Sequence, residues 1–122
     1  MENLDIAKFG GTSVGNFDAM TSSYKVVVGN KNSRIVVISA CSGVTNLLVE
    51  LASGKCSDSK INEIIEKLRD IHEQIIIHLE NQHELRNYIE GHLKEIKEQT
   101  LLANKGTNDQ LTDCIVSHGE LM

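Results

Sequence analysis

The chain contains no proline and no tryptophan, and aromatic residues make up only 3% of its 122 positions. An interior without large rings must be built from aliphatic side chains, and an apolar content of 40% is enough for one domain of modest size. No apolar run reaches the roughly 18 residues that a membrane-spanning helix needs, and there are no internal repeats. These absences argue against a membrane-spanning protein and against a repeat architecture.

Cysteine and positive charge are also scarce. Cys41, Cys56 and Cys114 lie far apart without a Cys-x-x-Cys motif, which favours reduced thiols in a cytosolic protein over a disulfide framework or a zinc site. The N-terminus does not resemble a signal peptide, so we expect a cytoplasmic location. The net charge of −5 argues against binding nucleic acid or a membrane surface through bulk charge, but a nucleotide needs only local positive charge.

The segment from Lys8 to Val14 has the clearest chemical pattern. A strand predicted over Ile6–Phe9 ends in Gly10-Gly11-Thr12-Ser13, and a helix is predicted to follow. Glycines allow positive φ and close approach of a ligand, the N–H groups of such a turn bind anions, and a lysine adds a point charge. The segment therefore predicts a phosphate-binding loop, although it fits neither G-x-x-x-x-G-K-[ST] nor G-x-G-x-x-G. The alternative is a tight strand-to-helix turn in which glycine serves only the backbone.

The first third of the chain predicts a strand–helix–strand unit. Asn16 can cap a helix that runs to about Gly29. Arg34–Ser39 predicts a second strand, and its four consecutive β-branched residues indicate burial on both faces, as in a parallel sheet covered by helices. Ligands of such sheets bind beyond the carboxyl ends of the strands. The loops after the two strands, residues 10–13 and 40–45, should therefore lie at one edge and share one site.

The rest of the sequence predicts helices. A short helix over Thr45–Ala52 precedes two long amphipathic helices, the first capped by Asp58 or Ser59 and the second ended by Gly106. The break at residues 81–83 makes this pair an antiparallel helical hairpin.

A last helix follows, and no metal site is predicted. Thr107 and Gln110 form a capping box that opens this helix. The hairpin histidines lack the His-x-x-x-His pair with a carboxylate base that is typical of metal-binding helices. We interpret all four as solvated or core-edge residues: His72, His78, His83 and His92.

Three segments, in this order, resemble the motifs of the aspartate kinases within the amino acid kinase family: Lys8-Phe9-Gly10-Gly11-Thr12-Ser13-Val14, Ser39-Ala40-Cys41-Ser42-Gly43-Val44-Thr45-Asn46-Leu47-Leu48 and Ser117-His118-Gly119-Glu120-Leu121-Met122. The resemblance is nearest in character to the lysine-sensitive type. It implies an α/β fold, namely the N-terminal part of the family's parallel-sheet sandwich with the helical hairpin attached. Residues 1–122 would be the N-terminal, amino-acid-substrate portion of the catalytic domain. The apolar helix face on which the sequence stops is also what we expect of the front part of a longer protein.

The resemblance implies an activity and the residues on its nucleotide side. The full-length enzyme would use ATP to phosphorylate the β-carboxylate of L-aspartate, the first step of lysine, threonine and methionine biosynthesis. Lys8 would be the catalytic residue that reaches the transferred phosphoryl group. The nucleotide phosphates would be bound by Lys8 together with Gly10, Gly11, Thr12 and Ser13.

On the amino acid side, the resemblance implies that Ser39, Thr45 and Glu120 bind aspartate, with Glu120 taking its α-ammonium group. His118 and Gly119 would help to pack the last helix. The adenine site and the Mg²⁺ ligands would lie in a second half that this segment lacks, as would the regulatory domains. We therefore expect the segment alone to be inactive and the full-length protein to be a homo-oligomer.

Three alternatives remain open from the residues. Thr45 could be a helix cap, and Glu120 could be a capping or surface-pairing residue. The protein could be another amino acid kinase acting on a different carboxylate. It could also be a non-catalytic helical interaction module that keeps a phosphate loop as a relic.

Overall fold

The computed structural model describes residues 4–106 and 108–122. Two strands, five α-helices and one 3₁₀ turn follow each other in the order β1 (Asp5–Phe9), 3₁₀ turn (Gly11–Val14), α1 (Phe17–Gly29), β2 (Ser33–Ile38), α2 (Val44–Ala52), α3 (Asp58–Ile76), α4 (Gln82–Lys105) and α5 (Asp109–Leu121). The predicted mixed α/β fold is thereby confirmed.

The strand–helix–strand unit forms as the sequence predicts. Strands β1 and β2 pair in parallel, with Lys8 opposite Val37 and Phe9 opposite Ile38. Helix α1 connects them, and the side chain of Asn16 accepts a hydrogen bond of 2.8 Å from the backbone N–H of Ala19, which confirms the predicted cap. Because the strands are parallel, their carboxyl ends and the loops that follow lie at the same edge, as expected.

The predicted burial of β2 on both faces is wrong for this chain. Its four β-branched residues remain 44–55% exposed: Ile35, Val36, Val37 and Ile38. Within the described residues the sheet has only two strands, and α1, which packs beside it, has no buried residue itself. The pattern is typical of a strand covered on both faces, and the described residues do not supply those covering layers.

The hydrophobic core lies among α2, α3, α4 and α5. Aliphatic side chains from all four helices are at most 2% exposed, among them Leu48, Leu51, Ile64, Leu68, Leu93, Ile96 and Ile115. Helices α3 and α4 form the predicted antiparallel hairpin, since Arg69 pairs with Glu90 and Arg86 pairs with Glu73. The residue number increases along α3 from the first pair to the second while it decreases along α4, which requires that the two helices run antiparallel.

Several helix boundaries differ from the predicted ones. Ser57 caps α3 by accepting a hydrogen bond of 3.2 Å from the N–H of Lys60, so the predicted caps Asp58 and Ser59 are wrong. Gly106 ends α4 with a φ of 159°, which confirms the glycine stop. Thr107 lies outside the described residues, and α5 is capped instead by Asn108.

The interpretation of the hairpin histidines as solvated or core-edge residues is wrong for His72 and holds for His78 and His83. His72 is 5% exposed inside the core, whereas His78 and His83 are exposed. In the described part of the chain, no group of three or more His, Cys, Asp or Glu side chains is arranged to hold a metal ion. Among the same residues, no helix combines the length and hydropathy needed to cross a bilayer.

The two leucines of α4 give a matched test of where the core lies. Leu93 is 2% exposed and Leu102 is 55% exposed. We expect Leu93→Ala to lower the free energy of unfolding by about 2–5 kcal/mol, because it leaves a cavity between helices. Leu102→Ala should change it by less than about 0.5 kcal/mol. Urea denaturation followed by circular dichroism measures both values, and similar losses in the two variants would contradict this core.

The open sheet predicts that this segment associates with itself. Unpaired edges and exposed apolar strand residues are the features that cause such association. We expect sedimentation velocity to show concentration-dependent oligomers and Ile35→Lys to reduce them. Gln74→Lys on α3 adds the same charge at another exposed position and should not reduce them. A clean monomer at high concentration would argue against this expectation.

Candidate functional site

The three motif segments meet at the loop that follows β2. A Cβ atom on Gly11 would lie 3.1 Å from the carbonyl oxygen of Ala40, and one on Gly15 would lie 3.1 Å from Cβ of Ser42. A Cβ atom on Gly119 would lie 3.3 Å from Cβ of Ala40. Segments that are far apart in the sequence therefore contact one another through positions without side chains.

The first loop is held by its own backbone and by α1. Gly10 is extended, with φ −76° and ψ 176°, and its carbonyl accepts a hydrogen bond of 3.0 Å from the N–H of Ser13. The hydroxyl of Ser23 on α1 donates to the carbonyl of Ser13 at 2.8 Å. These bonds fix the 3₁₀ turn without using the side chains of Thr12 or Ser13, whose hydroxyls stay available to a ligand.

Gly10 and Gly11 differ in how closely other residues of the chain pack against them. Neither has a positive φ, so the conformational freedom expected of these glycines is not used here. Gly11 must be small because the backbone of Ala40 lies against it, whereas a Cβ atom on Gly10 would meet nothing within 4 Å. Neither backbone angle nor packing within the chain explains glycine at position 10. The alternative in which glycine serves only the turn therefore has no support from the contacts of the described residues at this position.

The second loop turns at a glycine that sequence reasoning did not single out. Gly43 has a φ of 86°, a left-handed conformation that other residues rarely adopt, and it precedes α2 directly. The Ser42-Gly43 pair was the available signal for this turn. Because Gly43 occupies the N-cap position, Thr45 lies inside the first turn of α2, and its interpretation as a helix cap is wrong.

Cys41 in the same loop is half-buried. Burial raises the pKa of its thiol above the ordinary value, and a hydrogen bond to its own backbone opposes this shift only in part. A thiol held in its protonated form is a poor nucleophile. Cys41 is therefore a small packing residue beside the site.

The third segment places one carboxylate at the surface beside buried neighbours. His118 is 5% exposed, Gly119 is buried against Leu48 and Val44 of α2, and Glu120 is exposed. The predicted packing role of His118 and Gly119 is thereby confirmed. Glu120 follows two residues whose positions are fixed by contacts on both sides of α5.

The charged and hydroxyl groups of the candidate site are not used by the fold. Ser39 is fixed through its backbone, since its N–H donates to the carbonyl of Phe9 at 3.2 Å. Lys8, Thr45 and Glu120 are exposed, and none of them has a side-chain hydrogen bond or ion pair within the part of the chain that the structure describes. An ammonium group, free hydroxyls and loop N–H groups suit an anionic ligand, and the carboxylate of Glu120 suits an ammonium group.

No protein-family model matches the chain. Comparisons with curated sequences and with solved structures both find aspartokinases. The whole chain is 42% identical to the lysine-sensitive aspartokinase 3 of Escherichia coli (strain K12), of which it covers 27%. It matches the crystal structure of E. coli aspartokinase III in complex with aspartate and ADP with a TM-score of 0.93 and 41% identity. That match covers 98% of this chain and 26% of the solved one.

A shorter relative comes from Haemophilus influenzae and is named “Putative inactive aspartokinase 3”. It is 61% identical over 54 residues, which are 44% of this chain and 45% of that protein. The two chains are therefore about equally long. The present chain spans about a quarter of the E. coli protein. Over its own length it matches that quarter in sequence, and over 98% of its length it matches it in backbone, so the chain is similar from end to end to one part of an aspartokinase.

Proposed function

We propose that the active protein containing this segment is an aspartate kinase. A carboxylate oxygen of the aspartate side chain attacks the γ-phosphorus of ATP, the bond between this phosphorus and the bridging oxygen breaks, and ADP leaves. The products are 4-phospho-L-aspartate and ADP. The matched E. coli structure is a complex with aspartate and ADP, which are one substrate and one product of this reaction.

The observation that carries the proposal is the empty space over Gly10. The fold does not require glycine there, so the space is what a ligand needs to approach the backbone closely. Lys8 precedes it on β1, and the hydroxyls of Thr12 and Ser13 follow. We assign these groups to the phosphates of ATP, where phosphoryl transfer needs alignment and charge neutralisation more than covalent help.

We assign the amino acid to the other side of the same contact. Ser39 and Thr45 flank the loop against which Gly11 packs, and Glu120 follows the glycine that packs on this loop from the opposite direction. A hydroxyl at position 45 would hydrogen-bond aspartate. A carboxylate at position 120 would bind the α-ammonium group, which selects an amino acid over a plain dicarboxylate.

Among residues 4–106 and 108–122, no group of three or more His, Cys, Asp or Glu side chains is arranged to hold a magnesium ion. The groups around the first loop are an ammonium, hydroxyls and N–H donors, whereas Mg²⁺ prefers carboxylate and phosphate oxygens. If Mg²⁺ accompanies ATP, its protein ligands come from the remaining three quarters of the enzyme. We therefore assign no step to a metal in this segment.

We also propose that the full-length protein is a cytoplasmic homo-oligomer.

A second candidate function is non-catalytic. The H. influenzae relative is about equally long and is described as inactive by its name. A chain of this size keeps a complete helical core but only part of the candidate ligand site. Such a chain could act as an interaction module, and binding measurements with the missing part restored distinguish the two functions.

Our first expectation is that the isolated segment does not catalyse phosphoryl transfer from ATP to aspartate. A coupled assay of ADP release should give no aspartate-dependent rate for it. A chimera, in which the segment replaces the matching quarter of E. coli aspartokinase 3, should restore that rate. Turnover by the isolated segment would contradict the predicted inactivity, and chimera activity on glutamate but not aspartate would contradict the proposed substrate.

Our second expectation concerns Gly10. In the chimera, we expect Gly10→Ala to reduce kcat/KM for ATP by about 10²-fold, since a methyl group would occupy the space proposed for a phosphate. In the isolated segment, the same change should alter the free energy of unfolding by less than about 1 kcal/mol.

Gly91→Ala is the matched control, because a Cβ atom there also meets nothing within 4 Å while the residue is exposed on α4 and belongs to none of the three motif segments. It should leave kcat/KM unchanged. Lys8→Met serves as a positive control for loss of phosphate binding. A fully active Gly10→Ala chimera would remove the observation on which the proposal depends.

A further inference from the structure

Two histidines from different helices contact each other next to the candidate amino acid site. Nδ1 of His92 on α4 lies 2.7 Å from Nδ1 of His118 on α5, with the ring planes at 80°. His118 is 5% exposed and His92 is half-buried. We call these two residues the imidazole pair.

The hydrogen bonding of the imidazole pair limits how many protons it can hold. Nε2 of His118 lies 3.0 Å from Oε1 of Gln99, an acceptor, so this nitrogen donates. Nδ1 of neutral His118 then accepts, and Nδ1–H of His92 donates, whether His92 is neutral or protonated. Protonation of both rings would place two N–H groups against each other at 2.7 Å. The contact therefore tolerates one extra proton but not two.

The same face of α4 holds the last turns of α5. Tyr88, four residues before His92, contacts that ring edge-on with centroids 4.8 Å apart, and its hydroxyl donates to the carbonyl of Leu121 at 2.7 Å. On the other side of α5, a Cβ atom on Gly119 would already be 3.1 Å from Leu48 of α2. The turn that carries Glu120 is thus fixed between α2 and the side chains of α4.

The groups around His118 favour its neutral state. Burial lowers the pKa of His118, the charge of His92 lowers it further, and Glu95, whose carboxylate lies 3.9 Å from Nε2, raises it in part. From α3, burial and then His92 lower the pKa of His72, while its hydrogen bond to Leu68 opposes them. Helix α2 presents apolar side chains to α5.

The sign of the pH dependence follows from these shifts. A histidine whose pKa is lower in the folded state binds its proton more readily in the unfolded chain. The stabilisation is therefore complete above the ordinary histidine pKa of about 6.5 and is lost as the pH falls toward the lowered value. Acidification should weaken the contact between α4 and α5.

We propose that the imidazole pair is a pH-dependent contact that positions the last turn of α5, and Glu120 with it, and that the second protonation releases this turn. The role of Glu120 in binding an amino acid rests on the proposed function, but the protonation of the imidazole pair does not. Aspartate binding would weaken on acidification through the change in α5.

Amide hydrogen exchange measured by NMR tests this inference on the chain itself. Between about pH 8 and pH 5, we expect the protection factors of residues 117–121 to fall about tenfold, in step with protonation of the His118 ring. The protection factor of the Leu68 amide in α3 should not change over the same pH range. Protection factors of residues 117–121 that stay flat through the titration would overturn the proposal without any variant.

Substitutions separate the imidazole pair from other histidines. His92→Gln keeps a hydrogen-bonding group at a half-buried position and should abolish the pH response of residues 117–121. His83→Gln, at an exposed position on the same helix, should retain the response fully. Persistence of the response in His92→Gln would overturn the proposal. Loss of aspartate binding by the chimera at every pH, with the exchange response intact, would instead count against the proposed function alone.

Discussion

Close packing of backbone against the loop after β2 is the constraint on which the arrangement of the three motif segments depends. Gly11 meets this loop from the sheet side and Gly119 meets it from the helical side, each so closely that an added Cβ atom would force a neighbour to shift. The parallel pairing of β1 and β2 brings the first loop to this point, and the contacts of α5 with α2 and α4 bring the third segment. A larger residue at position 11 or 119 would separate groups that the proposed reaction needs close together.

The chain combines a well-buried helical core with a sheet whose apolar residues stay exposed. Four helices enclose an aliphatic core, whereas the two-stranded sheet exposes its β-branched residues on both faces. The length relation to the E. coli enzyme accounts for this contrast, because the chain spans about a quarter of that protein. Local interactions explain why the backbone still matches the enzyme closely: the βαβ unit and the helical hairpin are both built from neighbouring segments.

Sequence reasoning succeeded where the determining interactions are local or periodic. The cap at Asn16, the stop at Gly106 and the helical hairpin follow from residue type and spacing. It failed for the burial of β2, because the described residues do not supply the layers that would cover such a strand. The choice of Ser57 as the cap of α3 was missed by one residue, since three polar residues in a row offer equivalent oxygens. His92 and His118 were not connected because they meet only through tertiary packing, 26 positions apart.

The sheet unit meets the helical core through a small number of identified contacts. This junction includes the glycine contacts and Phe17 of α1 stacked on His78 beyond α3, with ring centroids 4.5 Å apart. Lys8 lies on one side of this junction, and Thr45 and Glu120 lie on the other. A sub-global opening could therefore separate the two groups of residues while the helices stay folded. A molecule that binds both sides at once would oppose this opening, so that substrate occupancy and cohesion of the two parts become thermodynamically linked.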